Sequence, residues 1–429
     1  MHYASKGVVN LMGNQTRNIE LLLLPILTVL FILTSSSCKK KQDDPVVPDK
    51  QLLMTINFTN DFINPKLGAI VFISDKSGNP LADTAITGNQ SVVLYTEKIA
   101  SPPYQVSIVK WEPDMHNFMV TIHTYTHVMP GECTIRGNRL LSEGDATYSL
   151  KNIPPHSDLI LYASSGYANL TFATTGNQPV YKSPDSLYVK INTAQGPMYK
   201  WEGGLGAGAN LEIDLSVMYA ATTHTISLPV MAQDFSARVS GYPDSTSSID
   251  RPVATDVVLG DGTARDRIVV SHPPSAFVSF HTYLELIEHW DSAKSYTFSK
   301  YGSIPENFVK TDAAISGIQS SLHKVRFSTS GSFTVTSAEW QFQDAANLAF
   351  VWTVFGPDTL TSIILPTLPK AMTFMFPTLL LDSLKLRQFE LIAYPASPDY
   401  PAYLNAVFDP EHPGKGNYME SSSVRFPLD

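Results

Sequence analysis

Along most of this chain, apolar residues recur at every second position. In 118–128, Val120, Ile122, Thr124 and Thr126 alternate with Thr121, His123, Tyr125 and His127, which is the period of a strand with two unlike faces. Runs that read the same way cover 52–58, 67–73, 90–96 and 104–111, and later 187–191 and 225–228. Turn formers divide them, most clearly Asp75-Lys76-Ser77-Gly78-Asn79-Pro80, a cluster suited to a hairpin loop. Within 276–290, Val278, Phe280, Thr282, Leu284 and Leu286 fall on one face at period two, so that segment is expected to be a strand, with a short helix over 283–290 as the alternative. A final β region is expected over 325–426, with strands at 333–336 and 348–355 and a connection over 337–346. The apolar stretch 360–381 contains Lys370, Pro366, Pro369 and Pro377, which argues for buried strands with proline-marked turns rather than a membrane-spanning helix. The pattern predicts an all-β protein of two to three β-sandwich domains.

One segment breaks the pattern. Residues 21–33 are apolar apart from Thr28, and are followed by Thr34-Ser35-Ser36-Ser37-Cys38 and then Lys39-Lys40-Lys41-Gln42-Asp43-Asp44. The run is short of the about 20 apolar residues that a bilayer span needs and contains Pro25, so it reads as an export signal. Small residues ending on a cysteine resemble the lipobox of bacterial lipoproteins. The resemblance implies that Cys38 is acylated, becomes the mature N-terminus and makes the membrane a partner through its lipid. The charged residues after it resemble the surface-export signal of Bacteroidetes lipoproteins, which implies an outer-membrane protein facing the cell surface; read as a plain solvated linker, they leave a periplasm-facing one. With Pro45 and Pro48 among charges, 38–51 reads as the lipidated cysteine and its tether, after a signal peptide at 1–37.

The turn Asp75-Lys76-Ser77-Gly78-Asn79-Pro80-Leu81, together with Tyr148-Ser149-Leu150-Lys151-Asn152-Ile153-Pro154, resembles carboxypeptidase-regulatory-like and related immunoglobulin-like domains. The resemblance implies an Ig-like sandwich over 52–158 and carries no catalytic residue with it. A second β region is expected over 159–240. Residues 241–263, rich in Pro, Ser, Asp and Gly, are expected to form a linker or long loop, and 264–429 a C-terminal β domain.

Composition narrows the function. The chain has a formal net charge of −9, and the leader carries Lys6, Arg17 and Glu20, so a basic nucleic-acid footprint is absent and no nucleic-acid partner is expected. Charged residues make up 16%, against about a quarter in ordinary soluble domains; the expected surface is hydroxyl-polar rather than ionic. If Cys38 is acylated, Cys133 has no disulfide mate and reads as a buried small hydrophobe.

Signatures of chemistry are sparse. The sequence contains no G-x-S-x-G, H-E-x-x-H, Walker loop or EF-hand loop. Gly203-Gly204-Leu205-Gly206-Ala207-Gly208 has Ala209 where dinucleotide spacing needs glycine, and is expected to be a hairpin loop. His123 and His127 on one strand would lie roughly 13 Å apart at about 3.3 Å per residue, too far for one metal. Asp256, Asp261 and Asp266 read as turn residues rather than a calcium loop. Neither a catalytic residue, a metal site nor a cofactor is expected, and Glu285, Glu288 and His289 form the set on which a hydrolase alternative would rest. Aromatic rings match the C–H face of a sugar, and Trp111, Trp201 and Trp290 are the candidate binding residues. Six Asp-Ser/Thr triplets, at Thr84, Ser186, Ser245, Ser292, Thr359 and Ser383, five ending on an apolar residue and one on Thr246, resemble the acceptor of Bacteroidetes O-glycosylation; shuffling this composition gives roughly two. The function expected is a non-catalytic binding or assembly module for a glycan or protein partner. The alternatives are a hydrolase or accessory acting on polysaccharide, and a fimbrial or surface-layer anchor.

Overall fold

Strand after strand forms where the alternation places it, and the largest group joins edge to edge in one sheet. The computed structural model describes residues 50–428, except 60–61, 64–66, 114–117, 137–141, 165, 171–173, 182–184, 233, 243–252, 288–293, 322, 344–347 and 409–419. The expectations placed on Cys38, Trp290, Ser245, Ser292, Glu288 and His289 lie outside the described residues. The protein is all-β, and among the described residues no helix is long and apolar enough to cross a membrane.

Twelve strands make the large sheet, in the order Val253–Leu259, Asp234–Tyr242, Ser279–Ile287, Ser295–Gly302, Glu420–Pro427, Lys385–Ala393, Val335–Gln343, Leu348–Pro357, Phe118–Val128, Tyr104–Pro113, Ala69–Ser74 and Pro80–Ile86. Neighbours are antiparallel except Phe118–Val128 and Leu348–Pro357, which run parallel with Trp352 beside Ile122. That parallel pair joins the strands of 69–128 to the strands of 234–427. Trp352 is fully buried, and its indole Nε1 donates to Thr124 Oγ1 at 2.9 Å, so the one polar atom of a large core ring is satisfied.

Layers cover both faces of this sheet. On one, Phe72, Val109, Trp340, Trp352 and Phe389 pack with Val325, Ile363 and Met372, which come from the small sheet of Ala314–Ser321, Lys324–Ser330 and Ser362–Ile364 and from helix Lys370–Met375. On the other, Val71, Ile73, Val106 and Val335 meet Leu53, Ile56 and Leu94 of the sheet Ser91–Thr96, Gln51–Thr59 and Gly131–Arg136. Helix Tyr400–Val407 joins that core through Tyr400, Tyr403 and Leu404. Asp399 starts it by accepting from Ala402 N at 2.9 Å, with proline in the first turn, the pairing that opens helices. A third core, with Val239, Leu284, Phe298 and Val424, lies under the pair Thr222–Ala232 and Arg265–His272.

Between the halves of the large sheet the chain builds a sandwich. Its five-stranded sheet runs Gly166–Asn169, Asp158–Ala163, Asp185–Thr193, Gly196–Leu205 and Tyr219–Ala220. It faces Thr175–Val180, Gly144–Lys151 and Asn210–Asp214 across Leu150, Leu161, Val189, Ile191 and Ile213. Leu161, Val189 and Ile191 are each 0% exposed, and burying such a side chain stabilises by about 1.5–3 kcal/mol.

Sheet boundaries and the sequence boundaries do not coincide. Segments 52–158 and 264–429 contribute strands to the same sheet, and Gly144–Lys151 belongs to the inserted sandwich. The two stretches that carried the Ig-like resemblance therefore sit in different sheets. The turn itself forms: Asp75 Oδ1 accepts from Ser77 N at 2.8 Å and Asn79 N at 2.9 Å, and Gly78 takes φ +84°, where a side chain would be strained. Residues 253–259, inside the expected linker, form a strand paired with Asp234–Tyr242. The strand at 335 continues to Gln343 rather than ending before 337, and 360–381 holds one short strand, a helix and a 3₁₀ turn at Leu381–Ser383 in place of successive strands.

Candidate functional site

At one end of the inserted sandwich, three connections come together. Residues 154–157 leave Gly144–Lys151, residues 192–195 turn between Asp185–Thr193 and Gly196–Leu205, and 215–218 follow Asn210–Asp214. They enclose an open cleft of about 840 Å³ with Met198 and the buried Leu215 among its lining.

Local hydrogen bonds set each wall. Ser157 N donates to Asn192 O at 2.9 Å, and Asn192 Nδ2 donates to Asp158 Oδ2 at 3.0 Å, which ties the first connection to the second. Thr193 Oγ1 donates to Gly196 O at 2.9 Å and accepts from Gln195 N at 3.1 Å, closing a tight hairpin. Asp214 Oδ1 accepts from Ser216 N at 2.8 Å and from Asn152 Nδ2 at 2.9 Å. Those bonds, led by Ser216, hold its carboxyl down at about 2, because each favours the charged form. His156 Nδ1 lies 2.8 Å from Pro154 O; a carbonyl only accepts, so Nδ1 is the donor and Nε2 is the ring nitrogen outside that bond.

The lining is chemically distinctive. It consists of Pro154, Pro155, His156, Ser157, Asn192, Thr193, Ala194, Gln195, Met198, Leu215, Ser216, Val217 and Met218, with no carboxylate, ammonium or guanidinium. Amides, hydroxyls and an imidazole beside exposed apolar carbon match a neutral, polyhydroxylated ligand better than an ionic one.

The outer face of the five-stranded sheet carries the aromatic row. Tyr162, Tyr188 and Trp201 are direct cross-strand neighbours, with centroids 5.0 Å and 5.9 Å apart and nearly parallel planes. Trp201 also meets the Phe277 ring edge-to-face at 5.6 Å. Phe277 lies so close to Gly241 that a Cβ there would fall 2.4 Å from its ring. Trp201 is half-buried and already stacked, so it is a packing residue with limited area to offer. In the next row Tyr199 and the exposed Tyr219 are 6.0 Å apart. Trp111 does not serve as a platform: it is 7% exposed and packs edge-on against Phe376 at 5.6 Å.

The remaining sequence candidates are scattered. Glu285 Oε1 accepts from Arg425 Nη1 at 3.3 Å, while Arg425 Nε and Ser423 Oγ donate to Glu390 Oε1 at 3.1 and 2.5 Å. Burial pulls the Arg425 guanidinium down, but Glu390, Tyr283 and Glu285 more than offset it and the net shift is upward; Glu285 is thus a counter-ion on the sheet face. Asp261 pairs with Arg265 and Asp266 with Arg267, which puts arginine where a cation would sit. Among the described residues no group of three or more His, Cys, Asp or Glu has metal-holding geometry. Burial, then Lys110, pushes the His123 imidazole down to about 4. Burial and Glu132 push the Cys133 thiol up to about 12, so it stays protonated and unreactive at neutral pH. The stretch 203–208 ends one strand and turns into Asn210–Asp214 in the facing sheet, a crossover rather than the expected hairpin. Of the described acceptor triplets, Thr84 and Ser186 lie half-buried on strands, Ser383 is half-buried in the 3₁₀ turn, and Thr359 is exposed in a turn.

Comparison with known proteins adds little. No family model matches the chain, and no curated protein matches it. Among solved structures it is similar to a proposed adhesin from Bacteroides ovatus, with 13% identity over 62% of this chain and 88% of the other. The TM-score is 0.12, and a likeness at that level carries no argument about fold or function.

Proposed function

We propose that this protein is an exported outer-membrane lipoprotein, acylated at Cys38 and displayed at the cell surface, that binds a neutral glycan in the loop-end cleft without altering it chemically. The observation that carries the binding reading is the uncharged, amide- and hydroxyl-lined cleft of about 840 Å³. Sugars present many hydroxyls that need partners and C–H faces that need apolar carbon, and Gln195, His156 and Ser216 stand beside Met198 and Val217 in that lining. The lipid reading is supported by the sequence around Cys38, where several acyl chains would each contribute about 0.8 kcal/mol per buried methylene. Thr359, in an exposed turn, is the acceptor position best suited to O-glycosylation.

Residues 50–429, which form one compact unit, are the material for a glycan array. Binding to at least one neutral polysaccharide is expected. The double variant H156A/Q195A should weaken it by about tenfold or more, since each lost hydrogen bond is worth about 0.5–1.5 kcal/mol. Flat responses across the array would sink the glycan reading, and binding untouched by the double variant would move the site elsewhere. Mass spectrometry of the mature N-terminus from native cells should find an acylated residue 38; an unmodified cysteine there would remove the anchor.

A further inference from the structure

The first described strand leaves a small apolar surface beside the point where the chain enters the fold. Ile99 is 101% exposed, which is unusual for a branched aliphatic side chain in an ordered loop. That loop is pinned to the strand start: Gln51 Nε2 donates to Ala100 O at 2.9 Å, and Gln51 Oε1 accepts from Ala100 N at 3.1 Å. Glu97 pairs with Lys50 at 3.7 Å. Next to the loop, on the solvent face of the small sheet, Leu52 lies directly opposite Tyr95, and the two are 51% and 49% exposed. An aliphatic tip, a leucine and a tyrosine, flanked by Lys50 and Lys98, are the residue types that settle at the headgroup level of a bilayer.

We propose that this surface rests on the membrane that holds the protein, with Ile99 inserted at the level of the lipid headgroups. The proposal rests on the reading of Cys38 as the lipid site. Its occupant is argued from the chain itself. Eleven residues separate Cys38 from Lys50, and at about 3.3–3.6 Å each they span at most about 40 Å. Lys50, and with it the patch beside it, therefore stays within about 40 Å of the anchor. Tethering makes its contact intramolecular, so a surface too small to bind membrane on its own becomes populated once anchored. Two other exposed apolar residues, Phe374 and Leu380, 65% and 60% exposed, lie far along the chain from the anchor, without the short tether that Lys50 has.

The test supplies the anchor chemically. Residues 39–429 carrying an N-terminal hexahistidine are attached to vesicles of phosphatidylethanolamine and phosphatidylglycerol that contain a nickel-chelating lipid. In a Cys133→Ala background, I99C or F374C carries an environment-sensitive fluorophore. The label at 99 is expected to shift to the blue and lose intensity to nitroxide-bearing lipid, and the label at 374 to do neither. Equal behaviour at the two positions, or a response only at 374, would overturn the proposal. So would a shift at 99 that grows with protein concentration without vesicles, which would mark a contact between copies. Because the anchor is artificial, failure here leaves the Cys38 reading standing, and that reading is tested separately by the mass of the native N-terminus.

Discussion

Every sheet neighbour in the inserted sandwich comes from within 144–220, whereas the large sheet sets Phe118–Val128 beside Leu348–Pro357. Both are made of alternating strands, yet one closes on itself and the other waits for distant chain. The hydrogen bond from Trp352 to Thr124 spans 228 positions, and such pairings carry a larger loop-closure cost before any contact offsets it. The difference divides the work. A locally closed sandwich can hold its connections in fixed relation, and three of them frame the cleft. The large sheet supplies the frame, and its ionisable side chains sit in internal networks such as Glu285–Arg425–Glu390.

The comparison breaks most readily at the parallel pair. Trp352→Ala removes a fully buried indole and leaves Thr124 without that donor, a loss of about 3–5 kcal/mol. Hydrogen exchange should then accelerate over 69–74, 118–128 and 348–357 while 185–193 stays protected. Equal loss in both regions would show that the sandwich has no stability of its own.

Acid should separate the two regions next. Burial holds His123 and His281 down at about 4, with Lys110 and Arg238 adding to it, below the unfolded value of about 6.5. Between those values the unfolded chain binds more protons, so stability is full above pH 6.5 and falls as the pH drops towards 4. The loss is on the order of 2 kcal/mol per imidazole at pH 5, and H123Q/H281Q should flatten it in denaturant titrations across that window. Asp214 works in the same sense but in a lower pH window. Its carboxyl, at about 2 against an ordinary value of 3.8, contributes above pH 3.8 and stops contributing as the pH falls through 2. The cleft rim should therefore keep its form at pH 4–5, where the large sheet is weakened, and D214N should remove the transition between pH 3.8 and 2 seen by exchange at 214–218.

The smallest effect concerns the cleft alone. Gln195→Ala, at an exposed hairpin position, should lower glycan affinity by about 1 kcal/mol with an unchanged unfolding midpoint. A matching drop in stability would mean that the side chain supports the fold rather than the ligand.

Alternation made most strands legible, because burial of one face is a local property: Val120, Ile122 and Thr124 are buried where period two puts them. The Asp75 turn was legible for the same reason, being built from its own side chain. Pairing partners were not, since matching faces more than two hundred residues apart leave no local trace. Strand Val335–Gln343 extended past its expected end because Ala338, Glu339 and Gln341 are weak strand formers carried by the buried Trp340 and two neighbouring strands. The two short helices among the described residues leave no mark in the period-two pattern, although Asp399 before Tyr400-Pro401 is an N-cap signal. Trp111 reads as a platform until the core above it is seen. The cleft was out of reach as well: its connections are ordinary turn sequences, and only the sandwich brings them together.

Hydrogen exchange on residues 50–429, with and without the polysaccharide selected by the array, gives the sharpest test. Bound ligand should slow exchange at 154–157, 192–195 and 215–218 and leave the large sheet unchanged. Protection centred on 281–285 and 423–425 instead would place the ligand on the Arg425 network and contradict a cleft-based binding protein.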